Sequence, residues 1–247
     1  MKKLLLYILL PVVLATGTQC EKSSSDSTTS TGSGGSTARF AIQGNYLYTV
    51  DKTNLKVYNI TDVANPVLKN TVPVGFEIET IYPFKDKLFI GSTSVVYIFS
   101  VDDPENPKRL STAVSPDVLR RCDPVVAKDT VAYATLRTNG PCGGIQSVMA
   151  AYDIKDISNP IQKVTYPVAE PYGLGYADSA LYVCDRYGLY VFNIQKAFAP
   201  IMVKQIGNAW YLDVIPWNNT LICQMQDGLN LFDISNRLNP TLITKIN

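Results

Sequence analysis

Carboxylates, arginines and aromatic rings recur at a few points of this chain of 247 residues, and their types limit the chemistry open to it. Glu79 and Asp213 could serve as the acid and base of a carbohydrate hydrolase or lyase, with Arg121 stabilising developing charge. The same residues, with Asp123, Tyr172 and Tyr211, could instead form a binding mouth. Rings would give flat apolar contact to a glycan or peptide, and charges would fix its orientation. A third reading needs no ligand, because arginines and carboxylates on one surface can simply pair with one another. The chain has no histidine, which removes the usual neutral-pH general base and the commonest metal ligand.

The cysteines add little chemistry. Cys122, Cys142, Cys184 and Cys223 lack paired C-x-x-C spacing, so no metal site is expected. The glycines at 140, 143 and 144 precede a strand instead of opening a helix, so they are not a phosphate loop, and no cofactor is expected. Cys122, where the chain enters the inner strand of the third repeat, and Cys142, in the long loop of that same repeat, fall on one side of it and are expected to form a disulfide, which an exported domain can keep. Cys184 and Cys223, on short central strands, are expected to be buried free thiols. With 22 basic against 21 acidic residues, no net charge favours nucleic acid.

The first residues read as an address. A basic start is followed by an apolar run over residues 4–15, too short to cross a bilayer of roughly 30 Å as a helix. The run ends in Ala15, Thr16, Gly17, Thr18, Gln19 and Cys20, which resembles a lipobox except that Gln19 stands where glycine or alanine is usual. Residues 1–19 are thus expected to be a lipoprotein signal peptide and Cys20 the lipidated residue, with simple secretion as the alternative. Residues 20–38, rich in Ser, Thr and Gly, are expected to be a flexible tether. The expected partner is the lipid bilayer, and the expected place is the cell envelope, at the outer membrane.

Beyond the tether, five apolar strands each end six residues before a proline. They are residues 55–60 with Pro66, 96–101 with Pro107, 149–154 with Pro160, 189–194 with Pro200, and 229–234 with Pro240. Their spacing of about 40 residues, stretched once by the long loop, is that of a four-stranded propeller blade. An upstream strand precedes each, as at residues 46–50 and 180–184, behind a turn of Gly, Asn, Asp or Lys. Each unit therefore reads as inner strand A, then strands B, C and D. The Asp or Asn ending strand C is expected to cap the next turn, and Tyr58, Phe99, Tyr152, Phe192 and Phe232 are expected to pack between blades.

Residues 188–194 and 228–234, each with its proline, resemble the LVIVD repeat of bacterial β-propeller proteins, and residues 152–160 are nearly as close. The second unit departs most, with Ser100 in place of the acidic residue. The resemblance implies an all-β fold, a five-bladed β-propeller of four-stranded antiparallel blades over residues 39–247, and no particular activity. The first unit has a complete A strand and the last a complete D strand, so the end blades are expected to close directly on each other. The functional expectation is a non-catalytic binding or scaffold lipoprotein for a glycan, peptide or partner protein. Its binding face would be the rim where inner strands begin, carrying Glu79, Arg121, Asp123, Tyr172, Tyr211 and Asp213.

Overall fold

The structure, a computed structural model, describes residues 35–93, 95–114, 122–138, 146–207 and 209–247. Among them every regular element is a strand, and twenty strands form five antiparallel sheets of four consecutive strands each. Blade one is β1 (Phe40–Gln43), β2 (Tyr46–Val50), β3 (Asn54–Asn59) and β4 (Val67–Pro73). Blade two is β5 (Ile78–Phe84), β6 (Lys87–Ser92), β7 (Val95–Ser100) and β8 (Lys108–Val114). Blade three is β9 (Cys122–Lys128), β10 (Val131–Leu136), β11 (Val148–Asp153) and β12 (Ile161–Pro167). Blade four is β13 (Pro171–Ala177), β14 (Ala180–Asp185), β15 (Gly188–Asn193) and β16 (Ile201–Ile206). Blade five is β17 (Tyr211–Trp217), β18 (Thr220–Met225), β19 (Gly228–Asp233) and β20 (Thr241–Ile246).

Local chemistry explains the repeat. Each A-to-B turn holds one residue at positive φ, namely Gly44, Lys85, Asp129, Asp178 or Asn218, at 50° to 57°. Four of these are the residue types that tolerate that region, and Lys85 is the exception. At the end of each strand C a side chain accepts from the backbone N–H two residues on. Asn59 takes Thr61 at 2.8 Å, Asp153 takes Lys155 at 3.0 Å, Asn193 takes Gln195 at 2.9 Å and Asp233 takes Ser235 at 2.8 Å. In blade two Ser100 Oγ does the same for Asp102 N at 3.1 Å, so its register matches the others. Strand D then begins directly after the proline, where the missing N–H costs no ladder bond.

Buried apolar side chains of the described residues gather into four clusters, one at each junction from blades one and two to blades four and five. Phe99, Tyr152, Phe192 and Phe232 are buried one per cluster, as their sequence positions suggest. Burying such a ring contributes about 1.5–3 kcal/mol. Tyr58, the fifth member of the series, is only half-buried. It faces the junction of blades five and one, for which the described residues form no such cluster. The expected direct packing of the end blades is thus not what the structure has. A turn at residues 35–38, with Ala38 N donating to Gly35 O at 3.2 Å, precedes blade one and bonds to inner strands of blades two, four and five. Gly35 and Ser36 are buried.

Candidate functional site

Asp213 is the third residue of inner strand β17 and is 8% exposed. Ser36 Oγ donates to its Oδ1 at 3.2 Å and Thr37 Oγ1 to its Oδ2 at 2.5 Å. Backbone N–H groups of Thr37, at 3.4 Å, and of Val214, at 2.9 Å, complete the shell. Room for the carboxylate comes from Gly35 and Gly173, where any Cβ would overlap it. Burial pushes the Asp213 carboxyl above the usual range, and the hydrogen bonds from Thr37, Val214 and Ser36 only partly oppose this. Asp213 therefore sits under the turn and not at an open mouth. Tyr211 is likewise 2% exposed, packed in the core of blades four and five, with its hydroxyl accepting from Asn230 Nδ2 at 3.1 Å. The pleat places both residues inward, and alternation alone could not tell channel from surface.

Glu79 is half-buried on β5. Cys20, Arg121 and Cys142 lie outside the described residues, as do the side chains of Cys122 and Asp123. Cys184 and Cys223 are free and buried, and burial pushes both thiols up.

Tyr172 stands in a connected rim cluster. The Arg137 guanidinium lies 4.3 Å from the centre of its ring, and the Trp210 ring is 5.5 Å away on a tilt. Arg186 covers Trp210 at 5.3 Å. Glu170 ties the ladder together, accepting from Tyr172 Oη and Arg186 Nη1, each at 3.2 Å. Behind it, buried Asp185 accepts from Glu170 N at 2.8 Å and Tyr187 N at 3.0 Å, which fixes both rim loops. Trp210 Nε1 is buried and meets no acceptor among the described residues.

A cavity of about 360 Å³ adjoins this cluster along the chain, lined by Gln146, Tyr166, Val168, Tyr190, Met202 and Gln205 among others. It lies between blades three and four, and residues 166–172 run from it to the ladder. Among the described residues no charged side chain lines it. Burial and Asp185 push the Tyr190 hydroxyl up to about 12, so it is a neutral donor at physiological pH. Both ends of the long loop of blade three reach this strip, Arg137 at the ladder and Gln146 at the cavity. Sequence reasoning chose Tyr172 here but missed Arg186, whose place depends on a carboxylate sixteen residues back.

Residues 34–74 match the LVIVD repeat family. The chain carries an LVIVD repeat. The matched stretch takes in the turn at residues 35–38 and all of blade one, whereas the closest sequence resemblance lies in blades four and five. No curated protein matches this chain in sequence. Solved structures share its fold. A protein from Lactobacillus plantarum aligns at 15% identity and a TM-score of 0.67, over 81% of this chain and 67% of that one. A protein of unknown function from Desulfotomaculum acetoxidans aligns at 14% and 0.65, over 82% and 68%. A periplasmic gluconolactonase from Pseudomonas aeruginosa aligns at 12% and 0.61, over 83% and 67%. A computationally designed protein aligns at 12% and 0.60, and this chain spans only 60% of its length. Identities this low speak for the propeller fold alone.

Proposed function

We propose that this chain is an exported lipoprotein of the cell envelope, held at the outer membrane by a lipid on Cys20 once residues 1–19 are removed. Its propeller is a non-catalytic binding or scaffold module for a glycan, peptide or partner protein. The observation that carries this reading is the strip from the cavity between blades three and four to the Arg137, Tyr172, Trp210 and Arg186 ladder. Rings, amides and held guanidinium groups on rigid loops are what a polar ligand needs for contact and orientation. A disulfide between Cys122 and Cys142 would hold the loop that borders the strip and lower the entropy lost on binding.

The rival reading, a hydrolase or lyase using Glu79 and Asp213, needs two carboxyl groups across an open cleft. Asp213 is enclosed by the turn at residues 35–38, and Glu170 is engaged by Arg186 and Tyr172. Both arrangements favour binding. A glycan and peptide array probed with the purified chain tests the proposal: a saturable ligand that returns chemically unchanged supports it, and turnover of any array sugar overturns it. Loss of the protein from the membrane fraction in Cys20→Ala tests the anchor separately.

A further inference from the structure

Four of the five ring junctions carry at least one of two side-chain latches. At three of them a strand-B tyrosine donates its hydroxyl to a carbonyl in the next blade's C-to-D turn. Tyr48 reaches Pro104 O at 3.0 Å, Tyr133 reaches Ala197 O at 3.1 Å and Tyr182 reaches Arg237 O at 2.8 Å. A strand-D side chain adds a second latch. Asn70 Nδ2 donates to Glu105 O at 2.9 Å, and Lys204 Nζ to Pro240 O at 3.0 Å. Between blades two and three, where Phe89 replaces the tyrosine, Ser111 Oγ still donates to Ile157 O at 2.5 Å.

The fifth junction has neither latch. Register places Ile222 at the tyrosine position, and Thr244 Oγ1 turns to its neighbour Lys245 O at 3.5 Å. Val63, whose carbonyl corresponds to those of Pro104, Ala197 and Arg237, is 80% exposed. Packing tells the same story, since Tyr58 and Ile60 are half-buried while their counterparts in the other blades are buried.

What spans this junction is the turn. Ser36 and Thr37 donate to Asp213 of blade five, and Ser36 Oγ also accepts from Leu174 N of blade four at 2.7 Å. Ala38 O then accepts from Ile81 N of blade two at 2.8 Å, and Arg39 O from Val50 N of blade one at 2.9 Å. Residues 36–39 thus tie blade five, through one buried carboxylate, to blades one, two and four.

We infer that residues 35–38 are a clasp that closes the ring, and that the junction of blades five and one is where the ring opens when the clasp releases. Asp213 accepts four hydrogen bonds, and Thr37 supplies two of them, so loss of its hydroxyl removes the shortest contact between the turn and blade five. Opening at a single seam is local unfolding of the least packed unit, with the other four junctions intact.

Amide exchange on the full chain, read by mass spectrometry, tests this. Thr37→Ala should accelerate exchange in β1–β3 roughly tenfold, a ratio equal to about 1.4 kcal/mol, and leave β10, β11, β14 and β15 unchanged. Ile222→Tyr offers Val63 O the missing hydroxyl. It should slow exchange in β1–β3 of the otherwise native chain and restore protection in the Thr37→Ala chain. Unchanged exchange in Thr37→Ala, acceleration spread over all five blades, or no effect of Ile222→Tyr on β1–β3 would each overturn the clasp.

Discussion

Thr37 Oγ1 donates to Asp213 Oδ2 at 2.5 Å across 176 residues of sequence, joining a stretch that reads as linker to the inner strand of the last blade. The stability of the ring therefore depends on the protonation of one carboxyl group. Burial holds that group above the ordinary aspartate value of about 3.9, and the nearby thiols of Cys184 and Cys223 stay neutral. Between the unfolded and the raised folded pKa the native chain holds more protons than the unfolded one. Its stability is then greatest below the unfolded pKa and declines as pH rises to the folded value. The melting temperature of the native chain minus that of Asp213→Asn should fall with rising pH in that window and level off above it. A difference that rises there would contradict the assignment.

Tyr182 shows what a latch contributes. Its hydroxyl donates to Arg237 O, and burial pushes its pKa up, so it stays protonated. Tyr182→Phe should lower stability by about 1 kcal/mol in denaturant unfolding, as loss of one internal hydrogen bond does. Phe89→Tyr, at the junction of blades two and three, brings a hydroxyl towards Ile157 O and should not lower stability.

Cys184 and Cys223 are buried in the core between blades four and five, with thiols pushed up by burial. Reactivity needs thiolate and access, and they have neither. Under native conditions an alkylating reagent followed by peptide mapping should leave both unmodified, and in denaturant both should react. Rapid native labelling of either would show that the core cluster is wrongly placed.

Much of the architecture is legible because each blade repeats the same local rules. The strand ending in Asn59, Asp153, Asn193 or Asp233, the proline after the turn and the alternating apolar residues all act within a few residues of themselves. Blade two, where Ser100 departs from the pattern, still follows it because a hydroxyl can accept the same backbone N–H. The site is less legible because its geometry is set between blades. Asp213 looks like any rim carboxylate until Gly35 and Gly173 bring the chain onto it, and Ser36 and Thr37 look like tether because their partner is so distant. Tyr211 and Tyr172 occupy corresponding stretches of neighbouring inner strands, yet one is core and the other meets Arg137 at the rim.

The claim that the rim strip is the binding face is tested most directly by the affinity of an array-selected ligand for four forms of the chain. Tyr172→Ala and Arg137→Ala should each weaken binding by about 1–3 kcal/mol relative to the native chain, as truncation of an interface anchor does. Ser179→Ala, in the turn on the opposite face, should bind as the native chain does. Native affinity in both rim variants with loss in Ser179→Ala would place the binding face on the other side of the propeller.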